Sequence, residues 1–450
     1  MYHQGLDFHI EPGPLRMGPS LSLKRGADGP NSVMRRNEDL PIRNMRLAFI
    51  NQFYPPDLAP TGQLAASLAG HRAALGDQVT VIAGSGRYVP ESVPAASGAD
   101  ARIRIYRLWT PGLGKVTSAR RLIDYTWFYM AAALRMLWLP RQDVIIALTT
   151  PPFIAWAAAL HRRLHPSTRL VLWNMDCYPE ALIRGDLIPE RGWFARLLQW
   201  QNRWLFRQLD HLVCLDSAME QLITSLYTRA EKSLPTTVIP NWEPAARFLP
   251  ADTTQRWDLG EQLDLKSRLC VLHLGNTGYG HSFETVAEAA ELLREAPVAF
   301  VFVGGGARWS WLETTKRDRG LARWHMIRYL PEDQLMAAMA AAGCALITLR
   351  DTFLGVISPS KLHAALGMGL PILYVGPEGS NVDEAIRRHG CGASLRHGDV
   401  QGVVAFLRQL GRDAAFAGRM RERARSAFES AYTDIQALPR FDGVIEGLSG

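Results

Sequence analysis

Short apolar segments alternate with helical segments along most of this chain, and this alternation restricts the possible folds more than any other feature of the sequence. The segments MRLAFI, DVIIALTT and RLVLWNMD have the composition of buried strands, and helical segments separate them. Strands that alternate with helices form a parallel sheet covered on both faces. The alternation stops near residues 241–244 and restarts with LCVLHL. The sequence therefore predicts an α/β protein with two Rossmann-like, doubly wound parallel-sheet domains.

The predicted boundaries follow from this pattern. We place one domain at residues 45–243 and a second at residues 244–425. Residues 1–44 are rich in Gly, Pro, Asn and Arg without periodicity, so we expect a disordered tail and no signal peptide, and Met45 is an alternative start of translation. Residues 426–450 are expected to form a helix and tail that pack back toward the first domain. Two such domains facing each other bring the carboxyl ends of both sheets to one cleft, where ligands bind.

Charge and cysteine usage restrict the partners. The formal net charge of +7 favours anionic partners such as a nucleotide, a lipid diphosphate or an acidic membrane surface. Nucleic acid ranks last, because no arginine-rich run or aromatic RNA-binding signature is present. The five cysteines are scattered without a CxxC pair, which argues against a zinc or disulfide framework and for a reducing compartment.

No segment of the sequence forms a convincing membrane span. The best candidate, residues 144–160, is interrupted by Thr149-Thr150-Pro151-Pro152, which we interpret as a strand, a turn and a helix with proline in its first turn. We therefore expect a cytoplasmic protein that is soluble or peripheral on the inner face of the cytoplasmic membrane.

A Ser-Pro-Ser-Lys segment in the second domain is the strongest functional motif. Residues 358–361 open a predicted helix, and Gly369-Leu370-Pro371 closes it before the next strand. A helix N-terminus carries free N–H groups and a positive dipole, so it can hold a diphosphate. Lys361 adds a charge where a leaving nucleotide becomes negative. The alternative is that Ser358 is an ordinary helix cap and Lys361 a solvated first-turn lysine.

A glycine turn follows the first strand of the second domain. Gly275, Asn276, Thr277 and Gly278 come after CVLHL, and glycine permits close approach of a ligand to the backbone. The alternative is an ordinary strand-to-helix turn. The glycine cluster at residues 304–306 lacks the acidic ribose ligand of a dinucleotide fold, and we interpret it as a turn.

Two segments of the first domain are candidates for the opposite side of the cleft. Asp176, in Asn-Met-Asp-Cys-Tyr-Pro-Glu, ends a buried strand, so its carboxylate can orient or deprotonate an acceptor hydroxyl. The alternative is that Asp176 caps a helix before Pro179. The segment Pro60-Thr61-Gly62-Gln63 precedes a helix and is either a ligand loop or a plain turn.

These motifs resemble the retaining GT-B enzymes of glycosyltransferase family 4. The resemblance covers the chain from Met45 onward and implies that a nucleoside-diphosphate sugar binds the second domain. The implied donor-binding residues are Gly62, Gly275, Asn276, Thr277, Tyr279, Arg350, Ser358, Ser360 and Lys361. Catalytic roles fall to Asp176 and Lys361. No Asp-x-Asp motif is present, so we expect no metal or other cofactor.

The chain departs from the family pattern at four residues. Tyr279 and His281 stand where a basic residue usually follows the glycine loop. Val356 and Ala364 replace two glutamates, the second of which contacts the donor ribose in many members. With its Pro-Ser-Lys motif, the chain is similar to the branch that acts in bacterial envelope polysaccharide synthesis, of the colanic-acid type.

The predicted helix over residues 189–208 has two apolar faces. We assign Phe194, Leu198 and Leu205 to the core. The second face is a candidate membrane or acceptor surface formed by tryptophans beside arginines, namely Trp193, Trp200 and Trp204 with Arg196, Arg203 and Arg207. Ile123, Trp127 and Leu134, after two arginines, repeat the combination. The alternative is that both faces are buried.

The favoured function is retaining transfer of a sugar from a nucleoside diphosphate to a hydroxyl of a lipid-linked saccharide. One alternative is an epimerase of the same fold that acts on the nucleotide sugar; it needs several acid/base groups, and only Asp176 and His281 are candidates. Another is a catalytically silent binding or scaffold protein, which the residues at positions 279, 356 and 364 favour.

Overall fold

The computed structural model describes residues 44–57, 59–85, 102–111, 118–228, 233–248, 257–265, 267–328 and 330–448. The tail predicted for residues 1–44 lies outside the described residues, apart from Asn44.

The first sheet is parallel throughout. Its strands among the described residues are β1 (Arg46–Ile50), β2 (Gln78–Gly84), β3 (Ile103–Leu108), β4 (Val144–Ala147), β5 (Arg169–Trp173), β6 (His211–Cys214) and β7 (Thr236–Val238). Their spatial order is β3-β2-β1-β4-β5-β6-β7. The register of the central pairs aligns Leu47 with both Val79 and Val144. The order reverses direction at β1 and β4, and this switch point is where ligands of open α/β sheets bind.

The second sheet has the same design. Its described strands are β8 (Leu269–Asn276), β9 (Val298–Gly305), β10 (Trp324–Ile327), β11 (Cys344–Thr348), β12 (Ile372–Val375) and β13 (Gly392–Leu395). The order is β10-β9-β8-β11-β12-β13, and all the pairs are parallel. The switch point lies between β8 and β11. The predicted fold class, two doubly wound parallel sheets, is confirmed.

Helices connect the strands of both sheets. Those of the first sheet are α1 (Pro60–Ala74), α2 (Ser118–Leu137), α3 (Ala155–Leu164), α4 (Glu180–Arg184), α5 (Trp193–Phe206) and α6 (Ser217–Tyr227). Those that follow are α7 (Asp258–Gln262), α8 (Glu284–Leu292), α9 (Trp309–Asp318), α10 (Glu332–Ala341), α11 (Lys361–Gly367), α12 (Asn381–His389), α13 (Val400–Arg412), α14 (Ala414–Ala431) and α15 (Asp434–Gly447). Short 3₁₀ turns span Ala245–Phe248 and Asp351–Phe353.

The direction of each connection decides which face of the first sheet its helix covers. The chain moves one way across the sheet through α1, and the opposite way through α2, α3 and α5. Because parallel crossovers are right-handed, α2, α3 and α5 lie on one face and α1 lies on the other. Consistent with this, α3 packs against both α2 and α5.

Alternation along the strands builds the core on both faces of the second sheet. In β9 every residue is buried. Phe300 and Phe302 pack with Phe283 and Trp324 on one face, whereas Val301 and Val303 join the core on the other face. Side chains point to opposite faces with a period of two, so an uninterrupted apolar strand must be covered on both sides.

The last helix, α15, lies against the first domain. Arg72 of α1 is only 3% exposed and forms ion pairs with Asp77 at 2.7 Å and Asp442 at 2.9 Å. Beside it, the Phe441 ring contacts Trp173 and Trp242, with centroids 4.5 and 5.7 Å apart. The end of the chain therefore contributes apolar and ionic contacts to the first domain.

Some local boundaries differ from the sequence predictions. Helix α3 begins only at Ala155, so Pro151 and Pro152 lie in the turn before it and not in its first turn. Helix α1 already begins at Pro60, so Gly62 lies inside its first turn and not in a preceding loop. No helix in the described parts of the chain is long and apolar enough to cross a membrane.

Candidate active site

Two glycine-rich strand ends meet at the carboxyl edge of the second sheet. Gly275, the next-to-last residue of β8, has φ of 107°, and Gly304 in β9 has φ of 131°. A Cβ on Gly304 would lie 2.4 Å from Gly275 O, and one on Gly306 would lie 2.2 Å from Asn276 Oδ1. The cluster at residues 304–306 is therefore more than the turn we predicted, because its missing side chains let β9 support the Gly275–Thr277 turn. The sequence contained a signal for this pairing, because the glycines at residues 275–278 and those at residues 304–306 each follow an apolar strand segment.

Lys361 reaches this turn from the start of α11. Its Nζ donates to the carbonyl oxygen of Asn276 at 3.0 Å and lies 3.1 Å from Nε2 of His281. A Cβ on Gly275 would be 3.6 Å from Cε of Lys361. The two elements that the sequence singled out separately, the glycine turn and the Ser-Pro-Ser-Lys segment, therefore form one site. Lys361 is held by the protein, so the alternative that it is a solvated lysine is wrong.

The electrostatics of the turn are set by burial. Burial lowers the pKa of Lys361 to about 8. The pKa of His281 lies well below its usual value because the ring is buried beside the Lys361 ammonium. His281 is therefore neutral at physiological pH, and Lys361 is the cation of this pair. An anion bound here would gain strongly from Lys361, since few waters compete for the charge.

Ser358 has a different role from the helix cap we considered as an alternative. The residue at the N-cap of α11 is Ser360, and its side chain makes no capping hydrogen bond. The Ser358 hydroxyl donates to the carboxylate of Asp216, which itself caps α6 through Met219 N at 2.7 Å. Ser358 thus connects the donor motif to the first domain.

The Asp176 segment also meets the donor motif directly. Asp176 and Ile357 form an antiparallel β-bridge, and Cys177 N donates to the carbonyl oxygen of Val356 at 2.9 Å. Gly355 has φ of 73°, and a Cβ there would lie 2.5 Å from Ala218 O. Residues 355–358 are consequently held between the Asp176 segment and the start of α6. The fold brings the candidate acceptor residue and the donor motif to one cleft.

Asp176 does not cap a helix. The next helix, α4, begins at Glu180 with Pro179 at its N-cap. The backbone N–H of Asp176 donates to Thr149 Oγ1 at 3.2 Å, which fixes the segment, and no hydrogen bond to its carboxylate is found within the described residues. Burial raises the pKa of Asp176 to about 6. A carboxyl group with this pKa can exchange a proton near neutral pH.

A small cavity of about 30 Å³ adjoins Asp176 in the first domain. It is lined by Glu180, which is 4% exposed and accepts a hydrogen bond from the Tyr227 hydroxyl. The other carboxylate oxygen of Glu180 has no partner within the described residues. This space is large enough for water and too small for a sugar, so an acceptor must lie outside it.

The remaining predicted donor residues differ in how exposed they are. Tyr279 is 48% exposed, and Arg350 Nη1 donates to the Tyr279 carbonyl oxygen at 3.4 Å. Thr277 is fully buried, and its backbone N–H donates a hydrogen bond to the carbonyl oxygen of Gly305 at 2.8 Å. This geometry does not support a contact between the Thr277 side chain and the nucleotide sugar. Gly62 is buried, and a Cβ there would lie 3.0 Å from the Phe53 backbone. The donor-binding roles of these residues stay predictions.

The exposure of side chains on α5 agrees only in part with the predicted candidate membrane face. Trp193 is 77% exposed and Trp200 is 59% exposed, and Arg196, Arg203 and Arg207 are also exposed. Trp204 is half-buried, because its ring stacks on Trp156 with centroids 4.1 Å apart. The assignment of Phe194 to the core is wrong, since its side chain is 43% exposed. Helix α5 begins at Trp193, so Phe194 lies on its open first turn.

Comparison with known proteins finds a glycosyltransferase domain in this chain. The glycosyl transferase 4-like domain matches residues 61–242. WbjE of Pseudomonas aeruginosa, named as a glycosyltransferase, is 23% identical over 309 residues, which cover 68% of this chain and 75% of WbjE. WcaI of Escherichia coli strain K12, whose name refers to colanic acid biosynthesis and glycosyl transfer, is 26% identical over 372 residues, which cover 79% of this chain and 89% of WcaI.

A solved structure supports the fold. Anabaena HepE, crystallised in complex with UDP and glucose, aligns with 90% of this chain and 100% of its own with a TM-score of 0.64. Its identity is 15%, so the likeness concerns architecture alone. The domain match, the two relatives and the paired parallel sheets agree with the motifs assembled at the cleft. The chain therefore contains a glycosyl transferase 4-like domain at residues 61–242, and it is a glycosyltransferase of the GT-B fold.

Proposed function

We propose that this enzyme transfers a sugar, with retention of anomeric configuration, from a nucleoside diphosphate sugar to a hydroxyl of a saccharide acceptor. The observation that carries the proposal is the placement of Lys361 at the Gly275–Asn276 turn. The turn leaves room for a ligand near the backbone, and the ammonium supplies the opposite charge. A nucleoside diphosphate matches both features.

The proposed reaction requires stabilisation of the leaving nucleoside diphosphate. As the bond between the sugar and the diphosphate breaks, negative charge grows on the phosphate oxygens, and a preorganised cation stabilises this charge. Lys361 takes this role. The sequence has no Asp-x-Asp motif, and we propose that transfer needs no divalent metal. Retention is proposed because the donor motifs resemble those of the retaining family 4 enzymes.

Asp176 is proposed to act on the acceptor. Its segment bridges to Ile357, immediately before the donor motif, so an acceptor hydroxyl beside Asp176 would lie near the bound sugar. With a pKa of about 6, its carboxylate is mostly ionised at neutral pH and can orient or deprotonate that hydroxyl. His281 has both ring nitrogens engaged by Thr348 and Lys361, which disfavours the epimerase alternative, since Asp176 is then the remaining acid/base candidate of the two.

The acceptor is proposed to be a lipid-linked saccharide of envelope polysaccharide synthesis, at the inner face of the cytoplasmic membrane. The name of WcaI refers to colanic acid biosynthesis, and this supports a polysaccharide product. Support for the membrane comes from the helical layer formed by α2, α3 and α5. Its exposed large apolar side chains include Ile123, Trp127, Met130, Leu134, Leu160, Leu164, Trp193, Leu197 and Trp200. Together with the arginines of α5, this layer suits an anionic membrane surface.

A donor screen tests the proposal. UDP-, GDP- and dTDP-sugars are tested in turn for thermal stabilisation and for slow release of the nucleoside diphosphate, in the presence of excess EDTA. We expect one nucleotide class to stabilise the protein and to be turned over in EDTA. Activity that is lost in EDTA and restored by Mg²⁺ or Mn²⁺ would contradict the metal-independent site. Failure of every nucleotide to bind would contradict the donor assignment.

A further inference from the structure

His281 lies directly behind Lys361, at a position where the resemblance leads one to expect a cation. It is 6% exposed and follows the glycine turn by three residues. Its ring packs against His273, with centroids 5.3 Å apart, and against Phe283, with centroids 5.8 Å apart. One ring nitrogen lies toward Thr348 at the end of β11, and the other lies toward Lys361 at the turn.

The hydrogen bonds of His281 define its tautomer. Nδ1 lies 2.8 Å from the carbonyl oxygen of Thr348, which only accepts, so Nδ1 carries the proton. The other nitrogen, Nε2, then has a lone pair and accepts from Lys361 Nζ at 3.1 Å. The buried imidazole stays neutral, since its protonation would place an N–H donor against the ammonium.

The contacts of Lys361 leave part of its ammonium for a ligand. An ammonium has three N–H donors. One points to Asn276 O at 3.0 Å and one to His281 Nε2. With two donors fixed on protein acceptors, the direction of the third is fixed by the tetrahedral geometry of the nitrogen. A long, flexible side chain is thereby held in one position before a ligand arrives.

We propose that His281 is a positioning residue for the donor diphosphate: as a neutral acceptor anchored on Thr348, it holds the Lys361 ammonium at the Gly275–Asn276 turn. The inference rests on the proposed function, because it concerns the same diphosphate. In this chain, the fixed position of the Lys361 ammonium replaces, in binding the diphosphate, the additional basic residue that the family resemblance implies.

Two substitutions separate the two hydrogen bonds of His281. The amide of His281→Gln reaches the position of Nε2, so its oxygen can still accept from Lys361. The shorter amide of His281→Asn reaches the position of Nδ1, so it keeps the Thr348 contact and loses Lys361. Loss of one hydrogen bond to a charged group predicts that His281→Asn weakens binding of UDP, GDP or dTDP, whichever the wild type binds, by on the order of tenfold. We expect His281→Gln to bind within about threefold of the wild type.

A double-mutant cycle with Lys361→Ala shows whether His281 acts through Lys361. In the Lys361→Ala background, His281→Asn should change binding by less than about twofold, because the group that it positions is absent. Additive effects of the two substitutions would overturn the proposal. Equal losses of affinity and of melting temperature for the Gln and Asn variants would also overturn it, since they indicate a purely structural histidine. If the wild type binds none of these diphosphates, the proposed function fails first.

Discussion

At the residue scale, the site combines an acid and a base whose pKa values burial moves toward neutrality from opposite sides. Lys361 falls to about 8, and Asp176 rises to about 6. Both shifts follow from loss of water around a charged group, which disfavours the ammonium and the carboxylate alike. Shifts of this kind are concentrated at functional sites. The two groups therefore define the pH range in which the proposed reaction can proceed.

The pH dependence of kcat/KM for the donor tests this assignment. Asp176 must be ionised to accept a proton, so activity should rise as pH increases through about 6. Lys361 must be protonated in the free enzyme, so activity should fall as pH increases through about 8. A bell-shaped profile is expected.

Replacement of Asp176 by Asn should lower activity and remove the acidic limb, while the alkaline limb remains. Binding of the nucleoside diphosphate should be unchanged in this variant, because the proposed diphosphate site lies on the other domain. An acidic limb that persists in Asp176→Asn would mean that another group accepts the proton.

The sequence predicted individual residues unevenly. Lys361 and Asp176 were recognisable because each stands in a local motif at the end of a strand or the start of a helix. The contact of His281 with Lys361 was not, since it joins residues 80 positions apart and depends on how β8 and α11 meet. Phe194 was assigned wrongly to the core. The apolar character of a residue on a short helix does not show whether another element covers its side chain.

At the element scale, the layer formed by α2, α3 and α5 presents an unusual surface. Its outward side carries large apolar side chains beside arginines, and Trp138, which follows α2, is 80% exposed. Periodicity alone could not distinguish a membrane face from a buried second face, because both are apolar. On α5 the structure shows one buried face, with Leu198 and Leu205, and one exposed face, with Trp193 and Trp200.

Replacement of Trp193 and Trp200 by Ala should weaken binding to vesicles of anionic phospholipid without lowering the melting temperature, because both rings lie in solvent. Trp204→Ala is the matched control, since its ring stacks on Trp156 and its loss should destabilise the domain. Vesicle co-sedimentation beside thermal melting measures both effects. Unchanged sedimentation of the double variant, or a large drop in its melting temperature, would argue against a membrane face.

At the scale of the whole molecule, the sequence was sufficient for the two-sheet architecture because strand length, burial on both faces and strict alternation repeat twice. It was not sufficient for the way the two parts meet. The bridge between Asp176 and Ile357, the Ser358–Asp216 hydrogen bond and the packing of α15 all join distant segments. Such contacts depend on tertiary geometry that local patterns do not encode.

The C-terminal helix should contribute substantially to stability. Phe441 is fully buried against Trp173 and Trp242, so Phe441→Ala should lower the free energy of unfolding by about 3–5 kcal/mol. Ile435→Ala, on the same helix but at a 67% exposed position, is the control and should have little effect. Chemical denaturation measures both variants. Equal stabilities would show that α15 does not hold the first domain together in solution.

The central claim is that Lys361 supports the departure of a nucleoside diphosphate during sugar transfer. The direct measurement compares wild type with Lys361→Ala, using the donor found in the screen and a lipid-linked saccharide extract, with products analysed by NMR. The account predicts a new glycoside of unchanged anomeric configuration from the wild type, and turnover lower by roughly 10²-fold or more in a folded Lys361→Ala variant. Unchanged turnover in that variant, or an isomerised donor in place of a glycoside, would contradict it.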